Sequence, residues 1–234
     1  MQLFLRNYVL IFNTTLTLLN LKAFFLYISI LLLLCSQKTL ASVPVVMDEQ
    51  NDHYTVKGKY IDYFEDPTNK LTISDISSLR YKDKFQIGQK EEVVSTQNMS
   101  STYWARTTII NNFKSEKNIV FELYDFQINY FEIYIPSAQG YIVHKGGADF
   151  SFSHKDYQHK NFIYDLPHSK GKTLTLYFKI KARHPVAFIG AVRTTQRLTG
   201  YATTEYFFLA IFYGIVFAMI LYNLFLYFYH LFHI

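Results

Sequence analysis

Between residues 172 and 182, Leu174, Leu176, Phe178 and Ile180 alternate with Thr173, Thr175, Tyr177, Lys179 and Lys181. Successive side chains of a strand point to opposite faces, so this period of two predicts a strand half buried in an antiparallel sheet. The same alternation sets Phe131, Ile133 and Ile135 against Tyr130, Glu132 and Tyr134, and Ile119, Phe121 and Leu123 against Val120, Glu122 and Tyr124. Pro136 is expected to end the first of these, and Gly140 to turn the chain into a hairpin with residues 141–144. Further strands are predicted at 56–63, 102–110, 162–166 and 186–193, separated by turn material such as Asn111-Asn112, Gly146-Gly147 and Ser169-Lys170-Gly171. About eight short strands at even spacing make the expected fold an antiparallel jelly-roll or β-sandwich, with one short helix at 72–79, where Ile73, Ile76 and Leu79 follow polar capping residues.

The pattern changes at both ends. From Tyr206 to Ile234 there is no Lys, Arg, Asp or Glu, and the run exceeds the roughly 20 apolar residues that cross about 30 Å of hydrocarbon. It is greasy on all sides, which a helix tolerates in lipid or inside a larger bundle. At the front, Lys22 precedes an apolar run from Ala23 to Cys35 and the small-x-small site Thr39-Leu40-Ala41, the layout of a secretory signal peptide cleaved before Ser42. The expected organisation is therefore a signal peptide (1–41), an extracellular β-sandwich sensor domain (42–199), a juxtamembrane connector (200–205) and a transmembrane helix (206–234).

Composition narrows the function. Of the 234 residues half are hydrophobic, but they gather at the ends, leaving a middle the size of one domain. The net charge of +5 comes from Lys and Arg scattered among Asp and Glu, a solvated surface, so no nucleic-acid partner is expected. The only cysteine, Cys35, lies in the leader, so the exported part has no thiol chemistry. His144, His154, His159, His168 and His184 lack the close pairing of a zinc site and read as surface residues. Asp62, Glu65 and Asp66 cluster without the ligand spacing of a calcium loop and read as turn residues, so no metal and no cofactor is expected. No nucleophile elbow or phosphate-binding glycine loop is present, and the chain is read as a non-enzyme.

Candidate ligand-binding residues are few. Trp104 and Arg106 stand two apart and share one face of their strand. They read either as a core indole with an arginine bridging to a carboxylate at the sheet rim, or as a sugar platform in which the ring stacks on C–H surfaces and the guanidinium donates to hydroxyls. Tyr60 and Tyr63, with Tyr54, could line a glycan groove or fill a sandwich face. In the terminal helix, Gly214 and Ala218 make a small-xxx-small face and Asn223 is a polar side chain in hydrocarbon; both features suit packing against another helix.

The stretch STYWARTTIINN, residues 101–112, resembles the extracellular sensor domain of bacterial seven-transmembrane receptors with diverse intracellular signalling modules (7TMR-DISM). Upstream, YFEDPTNKLTISDI is similar to that domain's opening strand, Asp-Pro turn and first short helix. Downstream, FEIYIPSAQGYIVHKGG is similar to its hairpin, the stretches NFIYDLP and LTLYFKIKA to its last strands, and YGIVFAMILYNLFLYF to the start of the membrane module. The resemblance implies a jelly-roll, carbohydrate-binding-like sensor outside, seven helices in the membrane and an output enzyme inside. Only the first helix is present here, so the chain is expected to be the front end of such a receptor, lacking the output. Its expected place is the bacterial cytoplasmic membrane, single-pass, with the β-domain outside. The expected partners are a small extracellular ligand, a glycan being one candidate, the membrane, and a self-associated or separately encoded membrane partner. The alternative is a membrane-tethered adhesion or interaction module that transmits nothing.

Overall fold

The computed structural model describes residues 42–88, 93–124, 127–167 and 171–232. The signal peptide, Cys35, His168 and Ile234 lie outside the described residues.

The elements run β1 (Val45–Met47), β2 (His53–Val56), β3 (Asp62–Asp66), α1 (Ile73–Ile76), α2 (Leu79–Lys82), β4 (Gln86–Ile87), β5 (Val94–Ser95), β6 (Thr102–Asn111), β7 (Ile119–Leu123), β8 (Tyr130–Ser137), β9 (Gly140–Gly146), β10 (Phe162–Asp165), β11 (Thr173–Lys181), β12 (Ala187–Phe188), β13 (Gly190–Thr194) and α3 (Thr195–Phe232). Among the described residues one sheet has the order β4-β3-β6-β11-β8-β9, with β1 added parallel to β6; a second has the order β10-β7-β13-β2; and β12 pairs with β5 alone. The architecture is the expected antiparallel β-sandwich followed by one long apolar helix.

The inner faces carry the predicted alternation. Leu174, Leu176, Phe178 and Ile180 of β11, Phe131, Ile133 and Ile135 of β8, and Tyr103, Ala105 and Ile109 of β6 meet Phe121 and Leu123 of β7, Val192 of β13 and Phe162 and Tyr164 of β10 in one core. The Phe121–Phe178 and Phe131–Phe162 rings lie 4.9 Å apart across the sandwich. Aromatic pairs at this distance add about 0.5–1.5 kcal/mol beyond the area they bury.

Three strand readings need correction. The predicted strand 56–63 is two strands, β2 and β3, split by a 3-10 turn at Gly58–Tyr60 where Gly58 takes φ +50. The predicted strand 186–193 divides at Ile189, because β12 pairs with β5 while β13 moves over to β7 and β2. Pro136 does not end β8: it pairs with Tyr141 of β9, and β11 reaches only as far as Tyr134, so the missing N–H interrupts no ladder on that side. The hairpin forms as expected, with Gly140 at φ +120, a conformation that side chains with a Cβ avoid.

The short helix begins where the pattern placed it. Thr72 caps α1 through a reciprocal capping box with Asp75, whose carboxylate accepts from Thr72 N–H at 2.9 Å and Oγ1–H at 2.7 Å. A second turn, α2, follows at once.

The two outer faces are both covered. On the larger sheet, Trp104, Tyr134 and Phe85 with Ile76 of α1 form a second apolar cluster, ringed by Phe64, Leu71, Ile73, Tyr81, Tyr141 and Tyr177. On the smaller sheet, Val120 and Ile163 pack against Leu198 of α3, with Tyr157 and Tyr201 beside them. The helix thus starts upstream of the expected membrane boundary. Thr194 caps it by accepting Arg197 N–H on its Oγ1 at 3.2 Å, and residues 200–205 continue it without a break. From Tyr206 onward every described residue is exposed.

Candidate functional site

Val120, Glu122 and Tyr124 alternate with core residues on β7, so their side chains leave the sandwich on its outer side, toward α3. A chain passing from one greasy and one wet face would leave Glu122 in water. Instead the first turns of α3 lie over it and Glu122 is 0% exposed. A carboxylate there must be compensated. Its Oε1 accepts from Asn161 Nδ2 at 2.7 Å and from Tyr201 O–H at 3.2 Å, and Arg193 Nη2 of β13 stands 3.1 Å from Oε2 as a charge contact. Arg193 is 4% exposed, donates from Nη2 to Tyr124 Oη and lies with its guanidinium over the Tyr201 ring, 4.7 Å from the centroid. Two strands and the helix are therefore joined through one buried carboxylate.

His159 lies beside this node, 3.9 Å from Glu122 Oε1. Its Nδ1 accepts Asn161 N–H at 3.2 Å, which puts the ring proton on Nε2. Burial holds His159 below its ordinary value of 6.5, with the positive charge of Lys160 acting the same way and Glu122 opposing. The reading of His159 as a surface residue is corrected: it is 7% exposed, because α3 closes over its edge. Nε2 of His159, Oε2 of Glu122 and Nε of Arg193 are all buried without a hydrogen-bond partner. The node is therefore polar beyond the hydrogen bonds it makes, with Oε2 held only by the charge contact to Arg193.

Above the node opens a cleft of about 1570 Å³, walled by the smaller sheet on one side and by α3 on the other. Asp52, His53, Tyr124, Asn161 and Arg193 line it from the sandwich, and Gln196, Arg197, Gly200, Tyr201 and Thr204 from the helix. Lys160, in the bend before β10, pairs with Glu205 of the helix. Burial lowers the His53 pKa, and the charges of Arg193 and Arg197 push it the same way. No Cβ contact would form at Gly200, whose surroundings are open. The helical wall ends at Glu205, immediately before the uncharged run.

The residues singled out from the sequence lie elsewhere. Trp104 does share a face with Arg106, but it is 0% exposed under α1 and the Tyr134 ring, so no sugar can stack on it. Arg106 donates from Nε to Asp62 Oδ2 at 2.7 Å and from Nη2 to Lys82 O at 3.1 Å, over the Phe85 ring. The pair is the core indole and rim bridge of the first reading. Tyr60 packs half-buried against the core and Tyr63 lines a separate polar recess with Gln86, Gln97 and Tyr103; the structure does not bring these two together with Trp104. Asp66 and Glu65 are turn and loop acceptors, Asp66 taking Thr68 N–H and Leu71 N–H at 3.0 Å and Glu65 taking Ser101 Oγ–H at 2.6 Å. Among the described residues no group of three His, Cys, Asp or Glu could hold a metal ion. In α3, Gly214 and Ala218 are exposed, and Asn223 Nδ2 donates to Met219 O one turn back at 2.8 Å.

Sequence reasoning missed the Glu122 node and the cleft. The available signal was Glu122 inside an otherwise apolar strand, with Arg193 in another, but the register that pairs Val120 with Arg193 and Glu122 with Ala191 is a property of the fold.

Comparison with curated proteins finds no match. Among solved structures the chain is similar to the insecticidal crystal protein Cry2Aa (12% identity, 42% of this chain, 17% of that one, TM-score 0.25). It is also similar to a structure of carbohydrate-binding modules from the β-sandwich superfamily (8% identity, 61% of this chain, 55% of that one, TM-score 0.23). A third is the adhesin domain K2 of Lys-gingipain (11% identity, 68% of this chain, 92% of that one, TM-score 0.22). The chain spans about a sixth of the first of these. The family model described as 7TMR-DISM extracellular 2 matches residues 58–192, more than half of the chain and from the turn before β3 to β13. The chain belongs to the 7TMR-DISM extracellular family.

Proposed function

We propose that this chain is the sensor portion of a bacterial signalling receptor, lying outside the cytoplasmic membrane, and that its ligand is a small polar molecule held in the cleft between the smaller sheet and α3. The observation that carries this reading is that one wall of the cleft is the helix that continues into the uncharged run. A ligand seated there touches both the rigid sandwich and the element leading into the membrane, and any difference in affinity between two positions of α3 shifts the balance between them. Asn161, Gln196 and Thr204 offer amides and a hydroxyl beside the rings of Tyr124 and Tyr201, on which Arg193 already lies, a lining that suits a saccharide or a similarly polar small molecule. No catalytic arrangement enters this reading.

Gly200 supplies the test. Because nothing lies within 4 Å of a Cβ added there, Gly200→Trp meets no neighbour at its Cβ, and its indole is expected to obstruct the helical wall of the cleft. A saccharide panel is screened by thermal shift on the full chain in lipid nanodiscs. The expected result is a hit that Gly200→Trp abolishes while the unliganded Tm is kept; a hit that this substitution leaves untouched would place the site elsewhere. Orientation is tested by reporter fusions, with alkaline phosphatase expected to be active after Gly200 and inactive after Phe232.

A further inference from the structure

The charges lining the cleft are not all matched. Glu205 is taken by Lys160, and Glu122 lies beneath Arg193 rather than in the cleft wall. Arg193 is paired with that carboxylate through Nη2, and what remains facing the cleft without an ion-pair partner among the described residues is Arg197, His53 and one carboxylate, Asp52. Arg197 sits on the first turn of α3 with no acceptor for its guanidinium among the described residues, and the N-terminal amides of the helix add positive potential at the same end. Arg193 is the independent sign of a missing group. It is 4% exposed, its ring-stacked guanidinium is fixed in place by Tyr201, and its Nε–H has no acceptor. At His53, the ladder partner of Arg193, burial and then the charges of Arg193 and Arg197 act against protonation, with Asp52 and Glu122 opposing.

We propose that the end of the cleft nearest the start of α3 is an oxyanion site, in which Arg193 and Arg197 receive a carboxylate or phosphate group of the ligand. This rests on the cleft being the ligand site and adds the chemistry that fills it. Planar guanidinium forks match the two oxygens of such groups, and a donor left unmet in the apo protein is met on binding. The same group has two sources. It can belong to a soluble acidic saccharide, or to a lipid headgroup that rises from the interface, since Arg197 stands nine residues, about 13 Å of helix, before the uncharged run starts at Tyr206.

The experiment uses the full chain in phosphatidylcholine nanodiscs, with D-glucuronate, D-glucose and inorganic phosphate as probes and a parallel set of discs containing phosphatidylglycerol. The expected result is that glucuronate and phosphate raise Tm and glucose does not. Glucuronate binding should weaken about tenfold in Arg197→Gln, the effect of one charge-assisted contact. Arg193→Lys, which keeps a cation opposite Glu122 but loses the fork, should weaken it as well. If the headgroup is the source, phosphatidylglycerol discs raise Tm and suppress glucuronate binding, and Arg197→Gln removes both effects. Glucose binding as tightly as glucuronate, and lost in Gly200→Trp, would overturn the oxyanion site while leaving the ligand cleft standing. No response to any anion in either kind of disc would overturn the oxyanion site as well.

Discussion

The two outer faces of the sandwich look alike in outline and differ in kind. Each carries a buried aromatic or polar side chain, and each has a helix laid across it. Over the larger sheet the cover is α1 and α2, two short helices of four residues each, and what they bury is an apolar plug around Trp104 with the Arg106–Asp62 pair at its rim. Over the smaller sheet the cover is the start of α3, and what it buries is Glu122, Arg193 and His159 beneath an open cleft. The plug is mostly uncharged rings and carries one unmet donor, Trp104 Nε1. A buried ion pair with unmet donors costs desolvation and is compensated only by its partners, so its stability depends on where the helix sits. The first face is a closed apolar layer, and the second is a polar node beneath a cleft.

The comparison breaks most readily at the buried groups themselves. Glu122→Ala leaves Arg193 uncompensated and should cost about 3–5 kcal/mol, with the loss concentrated at α3. Trp104→Ala opens a cavity of the same order, about 3–5 kcal/mol, but should loosen α1 and α2 and leave α3 as it was. Urea denaturation gives the size, and hydrogen exchange shows which helix is released. If both substitutions release the same helix, the faces are not independent.

Acid should separate the faces next. His53 and His159 both have pKa values held below 6.5 by burial, so the folded state resists protonation that the unfolded chain accepts. Stability from these groups is complete above about pH 6.5 and is lost as pH falls below it. Both sit at the α3 face. On the outer face of the larger sheet, burial opposes the Glu132 carboxylate, but hydrogen bonds from Tyr130 and Tyr134 hold it below its ordinary value of 4.5, so its contribution is lost only under stronger acid. Lowering pH from 7 to 5.5 should reduce the exchange protection factors, taken against the intrinsic rate at each pH, in residues 195–205 and spare α1 and α2. Equal loosening of both would contradict this.

The smallest effect sharpens the picture of α3. Gly200→Ala meets no neighbour and should stabilise the helix by up to about 1 kcal/mol, since glycine is the poorer helix former. A destabilised Gly200→Ala variant would mean that the cleft is narrower than its open surroundings indicate.

Much of the sandwich was legible because burial of one face imposes a period of two. β11 keeps that pattern without exception, its Thr and Lys positions lying outside the core. β7 and β8 do not: all of β7 is buried, because the wet face expected from Glu122 is covered by an element far away in sequence. Alternation reports whether a face is apolar, and cannot report that a charged face is sealed by a helix. For the same reason Trp104 and Arg106 were correctly placed on one face, while the cover that closes over Trp104 came from α1, and the carboxylate that holds Arg106, Asp62, from β3. The cleft needs β7, β13, the segment at Lys160–Asn161 and α3 together, and no local motif records that meeting. The apolar run at the end is plain from composition, but the first turns of the helix, residues 195–205, carry Thr, Gln, Arg and Glu, and 200–205 read as a connector because the apolar side of these turns, Leu198 and Tyr201, is narrow.

The central claim is that these first turns of α3 belong to the β-domain and couple it to the membrane helix. The direct measurement is the Tm of a chain spanning 42–205 against one spanning 42–199. Tyr201 and Glu205 contribute the hydrogen bond to Glu122 and the pair with Lys160 only in the longer chain. About 1 kcal/mol for the buried bond corresponds to roughly 2–4 °C in a domain of this size, so the longer chain should melt at least that much higher. Coincident melting curves would show that the helix is attached to the sandwich without being part of it, and the account of the cleft as the coupling site would fail.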